Sequence, residues 1–122
     1  MRHTLRPAER VRRRPEFLRA YEQGRKHHAR FMTMFACAST AAVARLGVSA
    51  TRKFGPAVVR NRAKRRAREL FRHHKPLPGI DLVIIPRRGF DTVSQPELVA
   101  DFLAGLRRLK VRTQPSCQDP AP

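Results

Sequence analysis

The stretch VVRNRAKRRAREL, Val58 to Leu70, limits the folds open to this chain more than any other part. Six bases, Arg60, Arg62, Lys64, Arg65, Arg66 and Arg68, stand there against one acid, Glu69. At about 100° per residue, Val59, Ala63, Ala67, Leu70 and Phe71 fall on one apolar stripe. Asn61, Arg65, Arg68 and Arg72 follow helical spacings on the opposite face, flanked by Arg62 and Lys64. The pattern predicts an amphipathic helix over 57–72, preceded by the chain-breaking Gly55 and Pro56. One side of it must find a core. The other holds like charges that repel, where an ordinary surface helix would interleave acids at i,i+4. Such an element needs a small packed domain on one side and a polyanion on the other.

The rest of the chain carries the same imbalance. Formal charge is +18 over 122 residues, a length suited to one domain. Residues 1–75 hold 21 bases and 4 acids; residues 76–122 hold 6 and 5. A polyanion relieves the self-repulsion of so basic a region. Nucleic acid fits better than membrane, because no apolar run approaches the ~20 residues of a spanning helix. The first residues lack the apolar core of an export signal, so a cytoplasmic location is expected. Cys37 and Cys117 are too few for a disulfide framework.

Coarse reading of the remainder gives an α+β domain over 1–112. Residues 1–13 read as a mobile basic arm and 113–122 as a disordered Pro-rich tail. A short helix begins near Pro15 and stops at Gly24, with Phe17 and Tyr21 sharing a face. Ala29–Ser39 and Ala44–Lys53 read as strands, with a further short strand around Lys26–His28. In the first of these, Phe31, Thr33, Phe35 and Cys37 point one way and Met32, Met34, Ala36 and Ala38 the other, so both faces should be covered. Leu82–Ile85 reads as a buried strand, and 95–110 as a final helix opened by a Ser94–Glu97 capping box. The expected order is α-β-β-β-α-β-α, helices against a mostly antiparallel sheet.

From Gly47 to Arg72 the sequence reads GVSATRKFGPAVVRNRAKRRARELFR. This resembles the signature of the bacterial ribonuclease P protein subunit, G-x-S/T-x-x-K-K-x-G-x-A-V-x-R-N-R-x-K-R. Gly55, Ala57, Val58, Arg60, Asn61, Arg62, Lys64 and Arg65 match, and Arg52 keeps the charge of the usual lysine. PEFLRAYEQGR is similar to that family's first helix and DLVIIPRRG to its last strand. The resemblance implies a fold like the second domain of ribosomal protein S5, with a left-handed crossover carrying the basic helix. It also implies partners: a large catalytic RNA and precursor tRNA, with no membrane and with the protein alone a monomer. Arg60, Asn61, Arg62, Lys64, Arg65, Arg68 and Arg72 would contact the catalytic RNA. Phe17, Tyr21 and Phe35 would line a cleft for the single-stranded 5′ leader, with Arg52 and Lys53 at its rim; Phe35 stands where tyrosine is common. Mg²⁺ and bond breaking would belong to the RNA.

The residues themselves leave the aromatic rings open between core packing and base stacking, since any aromatic face serves either use. They show no metal-nuclease signature. The nine acids include no D-x-D or D-x-x-E cluster, and His27–His28 and His73–His74 lack partners at zinc spacings. No catalytic residue and no protein-held metal is expected. Two other readings remain at this level: a ribosomal or assembly RNA-binding protein on a similar fold, and a protein-only nuclease.

Overall fold

The computed structural model describes residues 7–113. The expectations for the rest of the arm and for nearly all of the tail lie outside the described residues. The elements are α1 (Arg14–Gln23), β1 (Arg25–His28), β2 (Met32–Ala38), β3 (Arg45–Val48), α2 (Ala57–His73), β4 (Ile80–Pro86) and α3 (Gln95–Arg108). Pro15 lies in the first turn of α1. A side chain at Gly24 would run into the carbonyls of Ala20 and Ala36, which explains a glycine where the chain turns directly into β1. The Ser94 hydroxyl accepts from Glu97 N–H at 3.4 Å and opens α3.

The four strands form one sheet in the order β1-β2-β4-β3. β1/β2 and β2/β4 are antiparallel, and β3/β4 is parallel. The alternation of β2 sends Met32, Met34 and Ala36 to one face, with Leu46, Leu82 and Ile84. There they meet Ala63, Ala67, Leu70 and Phe71 of α2 and Leu98, Phe102 and Leu106 of α3. Phe35, Cys37 and Val83 point to the other face, where Phe17, Ala20 and Tyr21 of α1 cover them. Phe71, Phe90 and Phe102 are fully buried, and each such ring contributes about 1.5–3 kcal/mol. Phe31 departs from the expected alternation. It precedes β2 and packs with the Met32 face.

The crossover from β3 through α2 to β4 has the uncommon hand. Leu46 turns its side chain under α2, while its carbonyl accepts from Val11 N at 2.9 Å, on the side away from β4. Seen from its side-chain face on an ascending strand, an L-residue points its N–H and C=O to the right. β4 therefore lies to the left of β3, and a helix crossing in front moves leftward: the connection is left-handed. Ile84 agrees from the other strand, since its side chain shares that face and its carbonyl accepts from Ser49 N at 2.9 Å.

The arm expectation needs correction. Residues 7–13 are bound to the domain rather than loose. Pro7–Glu9 form a short 3₁₀ turn, Arg10 bridges Leu46 in parallel, and Val11 is buried. The buried Glu9 pairs with Lys75. At the other end Leu77 N donates to Arg112 O at 2.9 Å, and Pro76 bridges Thr113.

Candidate nucleic-acid interface

The period of α2 distributes its bases among three surroundings. Asn61, Arg62 and Arg65 are exposed, whereas Arg60, Lys64, Arg66, Arg68 and Arg72 are half-buried. Arg66 turns inward along the loop before α3, donating to Phe90 O at 3.0 Å and Gln95 Oε1 at 3.1 Å. Arg62 lies 3.9 Å from Asp91. Lys64 and Arg68, one turn apart, face the N-terminal segment. The cationic face is thus not one unbroken ridge. An outer row stands in solvent, and an inner pair meets Arg10 and Arg12.

That meeting forms a concavity of about 330 Å³, walled by Arg10, Arg12, Lys64 and Arg68 over a floor of Val11, Leu46 and Val48. No acid lines it. Burial, and then the nearby charge of Arg10, push the Arg68 pKa below the ordinary arginine value; even so the group stays cationic. Among the described residues, the buried Nε atom of Arg10 in this wall has no acceptor, nor has that of Arg60 elsewhere on α2. A phosphate oxygen in this concavity would counter the crowding of like charge at Arg68 and offer an acceptor to Arg10.

A second groove of about 420 Å³ adjoins the first and shares Arg12, Val48 and Lys64 with it. It lies between α1 and α2, beyond β3. Phe17, Leu18 and Tyr21 form one wall, Ser49 and Ala50 the base, and Arg14 adds charge. Phe17 and Tyr21 are tilted, with centroids 6.3 Å apart. Phe35 does not line this groove. It is 6 % exposed, stands edge-on to Tyr21 at 4.9 Å, and lies under Lys26 Nζ at 5.6 Å. Its ring supports Tyr21 from beneath instead of offering a face. Arg52 and Lys53 are exposed on the turn that follows Ala50, outside the groove lining.

Arg10, Arg12 and Arg14 escaped the sequence reading, which left the first two in the arm and gave Arg14 no role. One signal could have found the first two. The run Arg10-Val11-Arg12 alternates with a period of two, as a half-buried extended segment does.

A family model described as Ribonuclease P matches residues 5–110. The chain belongs to the ribonuclease P protein family. Ribonuclease P protein components from Desulfovibrio desulfuricans and Gluconacetobacter diazotrophicus are each 39% identical to it. The first alignment covers 89% of both chains; the second covers 86% of this chain and 94% of its relative. Among solved structures, the RNase P protein from Thermotoga maritima is 33% identical, with TM-score 0.72, covering 82% of this chain and 96% of that one. The Staphylococcus aureus RNase P protein is 28% identical, with TM-score 0.74, covering 84% and 96%. Ribonuclease P proteins are subunits of an endoribonuclease holoenzyme that matures tRNA 5′ ends. The ribonuclease P signature in this chain runs from β3, through the exposed Arg52–Lys53 turn, into α2, and so spans both concavities.

Proposed function

We propose that this chain binds the catalytic RNA of ribonuclease P along α2 and holds the 5′ leader of precursor tRNA in the groove between α1 and α2. Asn61, Arg62 and Arg65, on the outer row, face the RNA, with Arg60 and Arg72 beside them. Lys64 and Arg68, with Arg10 and Arg12, take phosphates where ridge and groove meet. Phe17 and Tyr21 stack unpaired bases, each worth about 1–3 kcal/mol; Arg52 and Lys53 extend the cationic rim. The observation that carries this reading is the groove itself. Aromatic side chains and cations line one channel, the combination that receives single strands without regard to sequence.

Bond breaking and Mg²⁺ are assigned to the RNA. Among the described residues no group of three or more His, Cys, Asp or Glu side chains could hold a metal. Several acids are committed separately: Glu9 to Lys75, Glu16 and Asp81 to Arg45, Asp101 to the backbone N–H groups of Arg30 and Phe31. We place this role in the cytoplasm; no helix among the described residues is long and apolar enough to cross a membrane.

Reconstitution tests the reading. Added to the cognate catalytic RNA, the protein should restore cleavage of precursor tRNA at low Mg²⁺ and moderate salt. Cleavage by the protein alone would instead establish a protein nuclease. No effect in either assay would leave an RNA-binding protein of another assembly.

A further inference from the structure

α1 holds most of the aromatic wall, yet Ala20 is its one fully buried residue. Phe17 and Tyr21 pack beside it only partly buried, and Arg19 Nη2 donates to Ala38 O at 2.5 Å, so polar contacts share in holding this ten-residue helix. A further constraint comes from β3. Arg45 on this strand stands opposite Asp81 of β4 in the parallel register. Its Nε and Nη2 donate to the two Asp81 carboxylate oxygens at 2.8 and 2.6 Å. That bidentate pair sets the plane of the guanidinium. Nη1 then donates to Glu16 Oε2 at 2.8 Å. Glu16 is the residue before Phe17, and its other oxygen accepts from the Arg12 and Arg13 N–H groups at 3.4 and 3.3 Å. Two residues on from Arg45, on the same face of β3, Gly47 leaves the space filled by the Phe17 ring. Consecutive face positions of one strand thus hold consecutive residues of α1.

We infer that Arg45 and Glu16 are positioning residues for the leader groove: fixed by the buried Asp81, Arg45 grips Glu16 and so sets where α1 presents Phe17 and Tyr21. Neither side chain of the ion pair is among those lining the groove. The inference rests on the proposed function, because its consequence is read as preference for a leader.

The test uses holoenzyme assembled from the cognate catalytic RNA and wild-type, Glu16→Ala, Arg45→Lys, double-variant or Phe17→Ala protein. Kd is measured for precursor tRNA and for mature tRNA, well below each variant's Tm. Glu16→Ala leaves the Arg45–Asp81 pair in place. It should weaken precursor binding about fivefold to tenfold, roughly one stacked base, with mature tRNA unchanged. Arg45→Lys should do the same, since an ammonium lacks the planar fork that bridges both carboxylates. The double variant should be no worse than either single change, because the two act through one link. Equal weakening for mature tRNA, additive losses, or a lowered Tm with an unchanged leader preference would each overturn the inference. If Phe17→Ala abolishes the preference and Glu16→Ala does not, the positioning role falls and the groove stands. If neither changes it, the groove assignment falls too.

Discussion

A methyl group at position 47 would sit 2.9 Å from two Phe17 ring carbons and from Val11 Cβ. The strand glycine of the ribonuclease P signature is therefore a packing requirement, of the kind expected where another segment crosses a strand closely. Gly47→Ala should destabilise the protein by about 1–3 kcal/mol, the usual cost of overfilling a packed site, as a lower urea midpoint with an unchanged slope. That glycine was legible as a motif position. Its reason was not, because Val11 and Phe17 approach it from far earlier in the chain. Phe35 shows the same limit: an aromatic on an alternating strand is plain in the sequence, but only the Tyr21 edge contact reveals a supporting ring.

On the helix α2, neighbouring arginines divide between two uses. Arg65 is exposed and Arg66 is tied to Phe90 and Gln95. Arg65→Ala should weaken binding to the catalytic RNA and reduce the salt slope by about 1, as the loss of one phosphate contact does. Arg66→Ala should chiefly lower Tm and leave the salt slope near its original value. Titrations over a salt series, paired with thermal melts, separate the two. The apolar stripe of α2 was readable because helical period alone determines it. The division of the cations was not, since the partners of Arg66, Lys64 and Arg68 come from residues 90–95 and 10–12. For the same reason residues 7–13 read as an arm: the strand that binds them lies far along the chain.

Across the whole molecule, a formal charge of +18 opposes compaction, and the few acids counter it at joints between elements. Glu16 illustrates this through pH. Burial by itself would raise its pKa. The Arg45 hydrogen bond, the Arg13 N–H, the Arg45 charge and the Arg12 N–H together outweigh burial and hold it below the usual 4.5. A carboxyl with a depressed folded-state pKa adds stability that is fully present above its unfolded value and lost as pH falls through the folded one. The Tm advantage of wild type over Glu16→Gln should therefore be largest near neutrality and shrink below about pH 4.5. Melts across that range check it. The order of elements, with helices on both faces of a sheet, was legible from period and capping signals; the left-handed crossover entered only through resemblance to a known family. The seating of Val11 beside Leu46 has a last consequence. β3 is one of the two outer strands of the sheet, and an open margin of backbone donors and acceptors invites a neighbouring copy to add itself. By laying Arg10 and Val11 along that margin, the chain occupies the place a second molecule would take there, and a protein trimmed past Val11 would lose its guard against edge-to-edge stacking at β3.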